Sequence, residues 1–138
     1  MIGQLLQKRY RLEQELGRGG MGVVYQGHDT LLNRPVAVKL LSASNLGSRG
    51  RNRLLTEAQA VARLNHPNII NVYDVGFIQP TSSAPISPDS PTEKYPFIVM
   101  ELVAGQTLRQ FVRPDLETGL SILRQICAAL EHAHTHNL

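Results

Sequence analysis

Residues 16–27, LGRGGMGVVYQG, hold five glycines in twelve positions, and Gly17, Gly19 and Gly22 are spaced as G-x-G-x-x-G. Three kinds of phosphate-holding loop use such runs, and their flanks tell them apart. A Walker loop needs a lysine directly after its last glycine, and here Val23 follows Gly22, which excludes it. A dinucleotide fingerprint needs the loop to open a helix, with a carboxylate roughly 20 residues further on. VVYQG is a poor helix start, and the corresponding position falls near Lys39 instead of an acid. In the third kind the loop turns one strand back into the next and its backbone amides cover the phosphates. Glycines suit that role because positive φ and close backbone approach are cheap without a Cβ. The β-branched pair Val23 and Val24 favours a strand after the loop. Taken alone, the loop is a weak match to any of these.

The flanking pattern extends the hairpin reading. YRLEQELG, GVVYQGHD and RPVAVKLL read as three successive strands. Residues 50–64 place Leu54, Leu55, Ala58, Val61, Ala62 and Leu64 at helical spacing, and that helix should stop before Pro67. NIINVYDVGF and FIVMELVAG read as buried strands. Between them, prolines 80, 85, 88, 91 and 96 are interleaved with Ser and Thr, which reads as a flexible surface insertion over 78–95; its Ser87-Pro88 and Ser90-Pro91 pairs read as plain solvated loop. QTLRQFV reads as a short helical turn. Beyond it, Leu116, Leu120, Leu123, Cys127 and Leu130 alternate steps of four and three, lining one face of a last helix that something must cover.

Length and charge narrow the function classes. A chain of 138 residues suits one domain, or part of a larger one. The formal net charge of +3 makes no electrostatic case for nucleic acid or a membrane surface. No apolar run approaches the roughly 20 residues that cross a bilayer, and MIGQLLQKRY lacks the apolar core of a secretory signal, so the expected location is the cytoplasm. The single cysteine, Cys127, excludes an intrachain disulfide and reads as a small buried core residue.

Four motifs in order resemble the protein kinase superfamily, most of all the eukaryotic-like serine/threonine kinases of bacteria. They are the loop Gly17-x-Gly19-x-x-Gly22-x-Val24, VAVK ending at Lys39, TEAQAVARLNHPNII with Glu57, and FIVMELVAGQTL with Met100, Glu101 and Val103. The resemblance implies an α+β fold over 1–138. Its parts are a small lobe over 10–100 with an antiparallel five-stranded sheet and one helix, a hinge over 101–105, and the first two helices of the large lobe over 106–138. It also implies ATP as the ligand. Phosphoryl transfer needs positioning and charge stabilisation more than covalent help, and by resemblance Lys39 supplies the cation and Glu57 steadies it. Leu16, Val24 and Ala37 would roof the adenine, Met100 would guard the rear, and the backbone at Glu101 and Val103 would meet the ring edge. Gly17, Arg18, Gly19, Gly20, Met21 and Gly22 would cover the phosphates. Val61 and Val72 take places where kinases stack a packing column between lobes. The plainer alternatives are a solvated strand lysine for Lys39, a surface helix acid for Glu57, and core-facing strand residues for the rest.

His132, His134 and His136 fall within one helical turn, yet no acidic or sulfur partner accompanies them, and ALEHAHTHNL matches the end of the family's helix before its catalytic loop. No H-R-D, D-F-G or A-P-E follows within the sequence, so it is expected to hold no catalytic Asp and no magnesium ligand. The expectation is a small lobe truncated before its catalytic loop and inactive alone, its large lobe supplied by a separate chain if at all. The rival is a binding module that docks a protein partner through the leucine face of its last helix.

Overall fold

The computed structural model describes residues 1–20, 22–41, 56–78, 95–111 and 114–138. Met21, residues 50–55 of the expected helix, and Ser87 and Ser90 of the expected insertion lie outside the described residues.

Six strands form one sheet: β1 (Leu5–Leu6), β2 (Tyr10–Gly19), β3 (Gly22–Asp29), β4 (Arg34–Leu41), β5 (Val72–Ile78) and β6 (Tyr95–Met100), in spatial order β1-β2-β3-β4-β6-β5. All neighbours pair antiparallel. The sequence pattern led to five strands. The sixth, β1, arises because Gly3, Gln7 and Lys8 adopt positive φ (82°, 48° and 58°), reversing the chain tightly enough for Leu5 and Leu6 to pair with Arg11 and Tyr10. The strand expected over FIVMELVAG stops at Met100. Ile78 and Tyr95, the ends of the expected insertion, oppose each other in the β5–β6 ladder.

The two faces of the sheet differ. Along β4, Val36, Val38 and Leu40 enter a core with Leu6, Tyr10, Leu12, Tyr25, Phe97 and Val99. Successive strand side chains point to opposite faces, so Ala37 and Lys39 belong to the other side. The β1 segment is the cover of the core face, and Leu6 is buried there. It docks against β5 at Gly76, where an added Cβ would meet the side chains of Gln7 and Phe97.

A polar knot fixes this cover. Asp29, at the end of β3, is fully buried. It accepts two charged hydrogen bonds from Arg9, Nε to Oδ1 at 2.8 Å and Nη2 to Oδ2 at 2.7 Å. It also accepts the amides of Leu31 and Leu32, shaping the turn into β4. Asn33 completes that turn at φ 49°. Tyr10 donates its hydroxyl to Asp74 on β5 at 2.6 Å, and burial first, then this bond, pushes the phenol pKa up.

A described helical segment, α1, covers 56–61, short of Pro67 as expected. Over 106–111 only a single turn forms, through Thr107, Leu108, Gln110 and Phe111. The last helix, α2, runs Leu116–Thr135 and is capped by Asp115, which accepts the Thr118 amide at 2.9 Å and its hydroxyl at 2.8 Å. These bonds hold the Asp115 carboxyl below its usual pKa. No residue of α2 is buried. Cys127, expected in a core, is exposed, like the leucines that share its face of the helix.

Candidate functional site

Antiparallel register draws the residues of the face opposite the core into rows. Gly17 opposes Val24, Val24 opposes Lys39, and Lys39 opposes Ile98. One row along, Ala37 opposes Met100 and Met100 opposes Val72. Opposed residues share a face, as do residues two apart. Val24, Ala37, Lys39, Met100 and Val72 therefore form one apolar patch with a single cation in it. Residues 24, 39, 72 and 100 are half-buried and Ala37 is buried. Leu16 flanks the patch: the β2–β3 register shifts between Glu15 and Gly17, so Leu16 has no opposed residue and stays exposed. Such irregularities re-aim a side chain.

The glycine loop is a hairpin, since β3 begins at Gly22 and runs through Val23 and Val24. This removes the dinucleotide alternative, which needed a helix there. Gly19 opposes Gly22, which closes the hairpin. The glycines are not equivalent. Gly22 has φ +137°, and a Cβ there would strike the Leu40 carbonyl. At Gly17, Gly19 and Gly20 a Cβ would meet nothing within 4 Å, and none has positive φ. Their lack of side chains leaves space above the patch. Arg18 is held at the loop by Glu15, with Nη2 2.8 Å from Oε2.

Past Met100 the chain leaves the sheet. The Glu101 amide donates to the Asn71 carbonyl at 2.9 Å. The Glu101 carboxylate accepts from the Asn71 amide at 3.2 Å and from its Nδ2 at 3.0 Å. Val103 is exposed, and Gly105 follows at φ +139°. Asn71 carried no signal in the sequence: it is one polar residue at the mouth of an apolar strand. Lys39 lies half-buried on β4 and Glu57 lies exposed on α1.

The segment after α1 meets α2. Asn68 Nδ2 donates to Gln125 Oε1 at 2.9 Å, and the His66 ring centroid is 5.2 Å from that of His132, itself 4.4 Å from His136. Burial first, then His136 and His66, holds His132 below its usual pKa. Its Nε2 is buried without a hydrogen-bond partner. His132 thus serves in a contact between chain segments, with His136 stacked behind it on the same helix, a contact that spacing along a single helix did not reveal. Among the described residues no group of three or more His, Cys, Asp or Glu is placed to hold a metal ion.

A glycine hairpin over an apolar sheet face with one lysine, ending in a short exposed connector, defines a class of protein, and the comparisons agree with it. The chain belongs to the protein kinase family: a family profile described as "Protein kinase domain" matches residues 10–138. Its relatives are bacterial serine/threonine kinases. The probable serine/threonine-protein kinase PknB of Lactococcus lactis is 36% identical over 143 residues, covering 99% of this chain and 21% of its own length. The serine/threonine-protein kinase PknB of Mycolicibacterium smegmatis is 38% identical over 140 residues, covering 98% and 21%. PrkC of Bacillus subtilis is 32% identical over 143 residues, covering 100% and 20%. Among solved structures, the Mycobacterium tuberculosis PknI kinase domain matches with a TM-score of 0.76 at 25% identity, covering 100% of this chain and 52% of that one. The chain therefore spans about a fifth of the length of these curated relatives and about half of that kinase domain.

Proposed function

We propose that this chain is the ATP-binding half of a serine/threonine protein kinase. The row Gly17–Val24–Lys39 beside the pair Ala37–Met100 supports this most directly. It gives a flat apolar surface for a purine, with a cation one row away beside a glycine-rich loop. The residues fit ATP: Leu16, Val24, Ala37 and Met100 enclose the base, and the backbone at Glu101 and Val103 meets its edge. Gly17, Arg18, Gly19, Gly20 and Gly22 lie over the phosphates, where the lack of any atom within 4 Å of a Cβ added at Gly17 or Gly19 leaves room for oxygen atoms close to backbone amides. Lys39 neutralises phosphate charge, and Glu57 steadies it. A bound magnesium ion would neutralise the terminal phosphates further; the motifs that supply its ligands in this family are not within these 138 residues. Among the described residues no helix is long and apolar enough to cross a membrane, and we assign the reaction to the cytoplasm, where ATP is available.

The sequence also contains no H-R-D or D-F-G. The 138-residue polypeptide is therefore expected to bind ATP without transferring its phosphate: incorporation of labelled phosphate into protein should not exceed that of a Lys39→Ala control. The loop's role has its own test. A Gly17→Ala, Gly19→Ala double variant should melt with the wild type, because neither Cβ meets an atom within 4 Å. It should lose about tenfold in ATP affinity, the factor that corresponds to about 1.4 kcal/mol. Unchanged affinity in calorimetry would remove the loop from the phosphate site.

A second reading rests on α2, whose Leu116 and Leu123 are 80% and 57% exposed and line an apolar groove with Leu108 and Leu120. Such a face suits a protein partner or a separately encoded large lobe. Light scattering on the purified chain separates the readings: a defined dimer or complex favours docking, and aggregation favours an incomplete catalytic domain.

A further inference from the structure

We infer that Asn71 is a positioning residue for purine recognition, acting through Glu101. This rests on the ATP-site reading above and names what sets the geometry of its edge. Three hydrogen bonds join the two residues: Glu101 N to Asn71 O at 2.9 Å, Asn71 N to Glu101 Oε2 at 3.2 Å, and Asn71 Nδ2 to the same oxygen at 3.0 Å. They tie down two of the three heavy-atom substituents of the Glu101 Cα, its amide nitrogen and its side chain. With both held, the position of the third, the carbonyl carbon, follows from tetrahedral geometry, and only ψ is left to aim the carbonyl oxygen. That oxygen belongs to the first residue after β6, at the edge where a purine amine would be read.

The clamp is also suited to its place. β6 is braced by β4 and β5 up to Met100, which opposes both Ala37 and Val72. Beyond it the sheet offers Glu101 only the single amide bond to Asn71, and the exposed Val103 and the positive-φ Gly105 follow. A strand end with one ladder bond frays, so the edge groups would be aimed loosely without the side-chain bonds. Asn donates to the carboxylate without adding charge beside a ligand that is itself an anion. Aspartate in its place would set two carboxylates against each other.

The test compares ATP with inorganic tripolyphosphate, each titrated into the 138-residue chain and followed by amide NMR shifts. Asn71→Asp should weaken ATP about tenfold, the loss expected when a charged hydrogen-bond pair becomes repulsive, and leave tripolyphosphate affinity unchanged. Asn71→Asp combined with Glu101→Gln rebuilds a donor and an acceptor in reversed order and should restore ATP affinity. Equal losses for both ligands, or no rescue by the double variant, would overturn the inference, since a purely structural role moves both ligands together. A wild-type chain that binds neither ligand would overturn the ATP-site reading itself and this inference with it, an outcome visible before any variant is made.

Discussion

Gly22→Ala is expected to destabilise the chain by roughly 3 kcal/mol, whereas alanine at Gly19 or Gly20 should change stability little. The cause is local and has two parts. Gly22 sits at φ +137°, a backbone region that residues with a Cβ rarely enter. The added methyl would also strike the carbonyl oxygen of Leu40, on the neighbouring strand to which Gly22 and Val23 are paired. Relief requires β3 to lift from β4 at the row that carries Val24 and Lys39. Urea unfolding should show a lower midpoint for Gly22→Ala alone, and the variant should lose ATP binding as well. Midpoints that fall equally for all three substitutions would show that the loop glycines are interchangeable.

The second large effect lies at the opposite end of β3. Asp29→Ala should cost about 3 kcal/mol, the range for removing one partner from a buried ion pair. It leaves the Leu31 and Leu32 amides without their acceptor and the Arg9 guanidinium with only the longer ion pair to Asp74, at 3.7 Å. Stability should also become less dependent on acid. The Arg9 hydrogen bonds, aided by the turn amides and opposed by burial, lower the Asp29 pKa to about 2 from 3.8. A carboxyl with a depressed folded-state pKa contributes stability above its unfolded value and loses it as pH falls through the folded one. The wild type should therefore lose about 2 kcal/mol between about pH 4 and pH 2, a figure kept low because Arg9 is partly solvated. Asp29→Ala should lack this component. Equal acid slopes for the two proteins in urea titrations at stepped pH would place the acid sensitivity elsewhere. Because Arg9 anchors the segment that carries Leu6, the variant should also loosen the cover over Tyr10 and Phe97, readable as faster amide exchange in β1 and β2.

The residues that form the rows were legible because strand periodicity and glycine spacing are local properties. Val36 and Val38 alternate with Ala37 and Lys39, so the two faces of β4 separate on paper, and β-branched residues after Gly22 state that the loop joins strands. The same logic failed where an outcome depended on chain far away in sequence. Cys127 sits at core spacing on α2, but spacing says only that a face is apolar, and coverage depends on what packs there. β1 was missed because two residues are too few for any periodicity; positive φ at Gln7 and Lys8 made it a strand. His132 looked like part of a one-helix trio and instead packs against His66 from the segment after α1.

The chain's local chemistry thus determined by itself a glycine hairpin, a lysine on an apolar strand, a connector after Met100 and an amphipathic last helix, because each rests on residues within a few positions of one another. Tertiary structure alone decided two further things: Asp29 buried against Arg9, and Glu101 clamped by Asn71. These partners stand 20 and 30 positions apart in sequence. Contacts over such distances are selected by the register of the sheet and the packing on it, which no short window of sequence encodes.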